Sequence, residues 1–279
     1  MKHSRTRFLL QLGLCLLVCA FLIIPMLMSI SAGLSRNYAQ GISGGLTLHW
    51  VLQVWQDYRG TLFLSVGIAI ACVACTLLLG VPAAYALARA PGRLARLFEE
   101  LLMLPVAIPG LATALALIAA FGAWGGLRSS WLFILIGHVL FTLPFMLRAV
   151  LAVLASIDLK TLEEGAASLG ANRCQRFFHI VLPNCRSGVL AGSLMVLTLS
   201  MGEFNLTWLL HTPFTQTLPV GLADAYASLR LEVASAYTLL FFLMIVPMLL
   251  AMQWLALPRR RSFAPEADET PPSAEPTRP

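Results

Sequence analysis

The chain has 279 residues, of which 58% are hydrophobic and only 11% charged. Soluble domains carry about a quarter charged residues, so this balance excludes an ordinary water-soluble protein and points to lipid as the solvent. The formal charge of +6 does not mark a nucleic-acid face, because the basic residues sort by the ends of the apolar segments they flank.

In chain order, Lys2, Arg5 and Arg7 precede an apolar run over residues 8–30. Cleaved signal peptides have apolar cores of roughly 7–15 residues, so this longer run predicts an uncleaved first span. Further apolar stretches follow at about 61–88, 101–122, 131–153, 187–209 and 236–257. Each approaches the ~20 residues with which a helix crosses the hydrocarbon core, every backbone amide paired internally. Pro82, Pro105, Pro109, Pro144 and Pro247 interrupt several of them, which a membrane bundle tolerates where neighbouring helices accept the freed carbonyls. The expected fold is an all-α membrane protein of six transmembrane helices.

Orientation follows from Lys and Arg. Of the 19, only Arg36, Arg59, Arg128 and Arg230 fall on one side of the predicted spans. The rest fall on the other, which predicts that both termini are cytoplasmic and that the periplasmic loops of any length are about 31–60 and 210–235. Three segments result: residues 1–60, a transmembrane helix with a periplasmic loop; 61–257, a core of five transmembrane helices; and 258–279, a cytoplasmic tail. The tail, rich in Pro, Glu and Thr, is predicted to be disordered. Tyr85, Trp124, Trp131 and Trp254 sit near span ends, as an interfacial aromatic belt does.

Cys72-Val-Ala-Cys75 has metal-ligand spacing, but no His or second Cys pair accompanies it. No metal site and no cofactor are expected. Nor does any soluble catalytic domain or phosphate-binding loop occur, so an enzyme is not expected.

The longest predicted cytoplasmic loop, about 155–186, carries the most information. Thr161–Leu169 predicts a short helix of good formers, with Glu163 and Glu164 early in it as the macrodipole favours. Gly170 fits the left-handed position that ends a helix. Arg173–His179 predicts a second short amphipathic stretch, and Pro183 suits the first turn of the helix that follows. The small residues Gly165, Ala166 and Ala167 allow close approach to a partner groove, and both glutamates are placed to pair with basic residues there.

This segment resembles the Glu-Ala-Ala coupling loop of ATP-binding-cassette (ABC) importer permeases. Glu164, Ala166, Gly170, Ile180, Leu182 and Pro183 stand at that family's spacing, and Gly165 replaces its usual first Ala. Leu143-Pro144-Phe145 with His138, the stretch Ser200–Phe204, and Thr217-Leu218-Pro219-Val220 are similar to a subgroup of these permeases. That subgroup imports polyamines, aminophosphonates, ferric iron or thiamine. The resemblance covers roughly residues 55–257. It implies a type I importer bundle in the bacterial inner membrane, paired with a second permease, identical or homologous. It also implies separate ATPase subunits that hydrolyse ATP at the cytoplasmic face, gripping Glu163–Ala167, Gly170, Ile180, Leu182 and Pro183, and a periplasmic solute-binding protein. A polyamine or aminophosphonate is the expected solute.

Three polar residues inside the spans are candidates for the translocation path. An acidic residue at membrane depth is costly and by default functional, which singles out Glu203, with Asn205 beside it. His138 is the third, as a ligand or proton carrier, although a hydrogen-bonded place inside the bundle is the favoured account of it. A proton-coupled secondary transporter using Glu203 and His138 as a relay is the competing class.

Overall fold

The computed structural model describes residues 2–90 and 92–256, which are helical almost throughout. Helices α1 (Lys2–Gly33) and α2 (His49–Arg89) open the chain. Each contains an apolar window long enough to cross a membrane, and only a helix pairs its backbone groups internally in a solvent without hydrogen bonds. The connector between them is shorter than the 31–60 loop expected, because residues 49–60 are helical. Val54 in that added stretch is fully buried with Leu62, Leu218 and Tyr237, which fixes the extension as helix. A kink at Tyr58 (φ −124°, ψ 17°) lies beside the segment boundary expected at residue 60.

The third apolar stretch is two helices, α3 (Arg93–Ala107) and α4 (Gly110–Phe121), bent by 103°. Proline causes the bend. The residue before a proline is driven out of the helical region, and Ile108, preceding Pro109, is extended at φ −90°, ψ 132°. A single turn, α5 (Gly125–Arg128), leads into α6 (Trp131–Leu154), whose start is capped by the Ser130 hydroxyl accepting from Leu132 N.

A helical hairpin then interrupts the spans. It comprises α7 (Leu159–Ser168), α8 (Arg173–Arg176), a π turn over Phe177–Val181, and α9 (Leu182–Asn184). The fifth stretch also breaks: α10 (Arg186–Gly202) ends at Glu203 (φ −71°, ψ 117°), and α11 (Asn205–Leu210) resumes beyond it. Within the expected 210–235 loop lies α12 (Leu218–Ala227), and α13 (Leu231–Ala256) closes the described chain. Four helices are individually long and apolar enough to cross a membrane, and counting as one span each of two bent pairs, α3 with α4 and the Arg173–Asn184 arm of the hairpin with α10 (71°), brings the number to six. The expected tail lies outside the described residues.

The centre of the bundle is α2, α6 and α10. Cys72 meets Thr142 and Gly80 meets Met146, so α2 and α6 run parallel. Gly192 meets Met146 and Ser200 meets His138, so α10 runs antiparallel to α6. Glycines four apart set this contact: a Cβ on Gly188 would stand 2.6 Å from Ala149 O, and one on Gly192 2.7 Å from Met146 Sδ. Small residues let helices approach closely where lipid supplies no hydrophobic drive between them. By contrast, the apolar window of α1 has none of its residues buried, and α1 meets α13 at Gly33, beside the Ser235 backbone. Its exposed Leu9, Leu16 and Phe21 are at rest only in lipid or against another apolar chain.

Candidate functional site

The hairpin is built by local capping at each step. Asp158 Oδ1 accepts from Thr161 N at 3.2 Å and starts α7. The hydrogen bonds from Thr161 hold the Asp158 carboxyl below its ordinary range. At the other end Gly170 takes φ +85°, while Ala171 N donates to Ala166 O and Gly170 N to Ala167 O. A left-handed glycine with this pair of bonds is the Schellman stop. A capping box follows, in which Asn172 Oδ1 accepts from Gln175 N and Gln175 Oε1 from Asn172 N, starting α8. Pro183 sits in the first turn of α9, as its missing N–H allows.

The structure separates the two glutamates. Glu164 is exposed and makes only a 3.8 Å contact with Lys160 one turn away, a surface pair of little strength. Glu163 is buried and turned inward, so it is not placed to meet a partner's basic residue as the sequence predicted. Its Oε2 lies 3.2 Å from Arg89 Nε, and its Oε1 accepts from the Tyr85 hydroxyl, which itself accepts from Arg89 Nη1 at 2.9 Å. The Tyr85 ring also lies 5.4 Å from that of Phe177 in the π turn. Tyr85 thus serves the hairpin rather than an interfacial belt. Gly165, Ala167, Gly170 and Pro183 are exposed, whereas Ala166, Ile180 and Leu182 are half-buried. Leu162, Leu169 and Phe178 add exposed apolar surface, Leu169 at 89%.

The intramembrane candidates do not form one polar site. His138 is buried with both ring nitrogens engaged, Nδ1 with Ser200 Oγ and Nε2 with Thr207 Oγ1, each at 2.8 Å. Glu203 is half-buried at the break between α10 and α11, where its Oε1 accepts from Leu206 N at 2.8 Å and caps α11. Asn205 is exposed beside it, and both face Gly110 at the bend into α4. The two broken helices therefore meet at their breaks. Sequence reasoning missed a hollow of about 720 Å³ lined by Met103, Val106, Pro144, Phe145, Arg148 and Met195. Arg148 faces this hollow, and its Nε lies 3.2 Å from Met103 Sδ. Among the described residues no carboxylate pairs with it.

A bundle of bent spans with a helical hairpin at one end is the architecture of an ABC transporter's membrane subunit. The crystal structure of a bacterial ABC transporter involved in the import of the acidic polysaccharide alginate holds a chain of the same fold. It matches at TM-score 0.67 and 15% identity over 91% of this chain and 96% of that one. The chain belongs to the binding-protein-dependent transport system inner membrane component family, whose model matches residues 76–261. It is similar to the sulfate transport system permease protein CysW of Synechocystis, with 32% identity over 70% of this chain and 76% of that protein. It is also similar to the putative 2-aminoethylphosphonate transport system permease protein PhnV of Salmonella typhimurium, with 28% identity over 88% and 92%. The chain is thus a multi-pass permease subunit of an ABC importer in the bacterial inner membrane, and a transport component rather than an enzyme. The family match also disfavours a proton relay through Glu203 and His138.

Proposed function

We propose that the hairpin of α7–α9 is the surface on which a separate ATPase subunit docks, that this partner hydrolyses the ATP, and that the hairpin end is cytoplasmic. The observation that carries this reading is the exposed tip, where Glu164, Leu162, Leu169 and Phe178 present one carboxylate among apolar side chains. Apolar surface of that kind outside the spans is covered in a working complex. A second permease, identical or homologous, completes the path, and a periplasmic binding protein delivers solute at the opposite end. The core then comprises 61–257 with the α2 extension added. Glu164→Arg and Leu169→Asp should each lower co-purification of the ATPase while leaving membrane insertion intact. Undiminished co-purification of both would refute the docking surface.

For the solute we propose a small oxyanion, such as sulfate or a phosphonate, rather than a polyamine, ferric iron or thiamine. The names of the relatives support it, as does Arg148, whose guanidinium in an apolar hollow attracts an anion and repels a polyamine. Calorimetry on the cognate binding protein with sulfate, 2-aminoethylphosphonate and spermidine tests the point. Binding of spermidine alone would overturn it.

A further inference from the structure

Among the described residues that carry a formal charge, Glu163 alone is buried, its side chain 6% exposed. A carboxylate leaves water at this cost only where charged and hydrogen-bonding partners receive it. All of its partners belong to the last turn of α2. We propose that Glu163 is a positioning residue. With Arg89 and Tyr85 it clasps α7 onto the end of α2, so that a displacement of the hairpin passes to α2 as a rigid-body movement. The inference rests on the docking surface above and names the helix that receives the stroke.

Three features carry the proposal. First, the clasp closes on itself: Arg89 reaches both the carboxylate of Glu163 and the hydroxyl of Tyr85, and that hydroxyl donates to the same carboxylate. A closed set of charge-assisted bonds resists rotation about any one of them. Second, Tyr85 holds both arms of the hairpin, its hydroxyl on α7 and its ring on Phe177. Third, α2 passes from the clasp straight into the bundle centre, where Ile68, Cys72, Thr76, Gly80 and Ala84 are buried. Elsewhere α7 is rooted by Leu159 at its first turn, a single apolar anchor about which the helix can pivot. Packed elements of this kind shift as units rather than deforming continuously.

The test uses the full chain assembled with its partner permease and ATPase in lipid nanodiscs. Spin labels are placed at Lys160→Cys and Leu78→Cys, both exposed, with the exposed Cys15, Cys19 and Cys174 replaced by serine. The distance between labels is read nucleotide-free and after trapping with ATP and vanadate. With Glu163 present, one narrow distance persists in both states. Glu163→Ala should broaden it while the ATPase still co-purifies, and the exchanged pair Glu163→Arg with Arg89→Glu should narrow it again. A distribution for Glu163→Ala as narrow as that of the natural chain overturns the clasp, as does a natural-chain distance that shifts on trapping. Loss of the ATPase from Glu163→Ala would also overturn it, by making Glu163 a contact. Failure of the docking surface reads differently: Leu169→Asp then retains the ATPase, while the nucleotide-free distance of Glu163→Ala still reports on the clasp.

Discussion

Thr207 Oγ1 lies 2.8 Å from His138 Nε2 and 3.2 Å from the carbonyl oxygen of Glu203. The single hydroxyl proton goes to that carbonyl, so the imidazole donates from Nε2 and its Nδ1 accepts from Ser200. One threonine thereby joins α6 to the break between α10 and α11. Thr207→Val, which keeps shape and removes the hydroxyl, should lower the stability of the nanodisc-embedded chain by about 1 kcal/mol. Thr207→Ser should retain it. Thermal unfolding of the two variants side by side makes the comparison, and equal midpoints would remove the structural role from this bond.

Gly188→Ala should destabilise the bundle by about 1–3 kcal/mol, the range for overfilling a tight contact. The added methyl would stand 2.6 Å from a backbone oxygen, Ala149 O, which cannot rotate away. Lower thermal midpoints and weaker expression are the readouts.

Gly165→Ala predicts the reverse. A Cβ at Gly165 meets nothing within 4 Å, and the residue lies inside α7, where alanine is favoured over glycine by roughly 0.5–1 kcal/mol. The substitution restores the usual Glu-Ala-Ala and should slow amide exchange across Leu159–Ser168 without reducing ATPase association. Faster exchange would show that the glycine relieves a strain invisible in the folded chain.

Hydrogen exchange also reports on Asp158. Its carboxyl is held below the ordinary carboxylate range by Thr161, so the folded state binds the proton less readily than the unfolded one. The cap is then fully present above the ordinary range and is lost as pH falls through the depressed value. Protection of the first turn of α7 should be flat around neutral pH and decline only in acid. Asp158→Asn, which still accepts from Thr161 N, should abolish that decline.

Glu203→Gln keeps an oxygen for Leu206 N and should leave stability near that of the natural chain. Glu203→Ala removes the cap from α11 and should cost about 1 kcal/mol. Equal melting of the two variants would leave the cap without energetic weight.

Much of this molecule was legible in its sequence. The apolar segments, the hairpin between the fourth and fifth, its stop at Gly170 and its restart at Pro183 all follow from local chemistry, because caps and helix length are properties of neighbouring residues. The bends were half legible. Pro109 marked the first, but prolines at 82, 144 and 247 lie inside continuous helices, so proline alone does not say which span breaks. The break at Glu203 carries no proline, and its carboxylate was read for depth rather than as a cap. Least legible was the division between Glu163 and Glu164. Adjacent on a helix, they point about 100° apart, and which of them turns inward depends on Arg89 and on Tyr85, the latter 78 positions away. Tyr85 and Arg89, spaced to share one helix face, were the available hint.

The placement of α1 bears on how the chain is made. Its principal neighbour is α13, so α1 finds its partner only after the helices between them have been made. During synthesis α1 waits in the bilayer with its whole surface open to lipid, while the centre of α2, α6 and α10 assembles without it. Closure of the α1–α13 pair therefore reports that synthesis has passed α13, and a product that stops before α13 leaves α1 bare to the proteases that patrol the membrane.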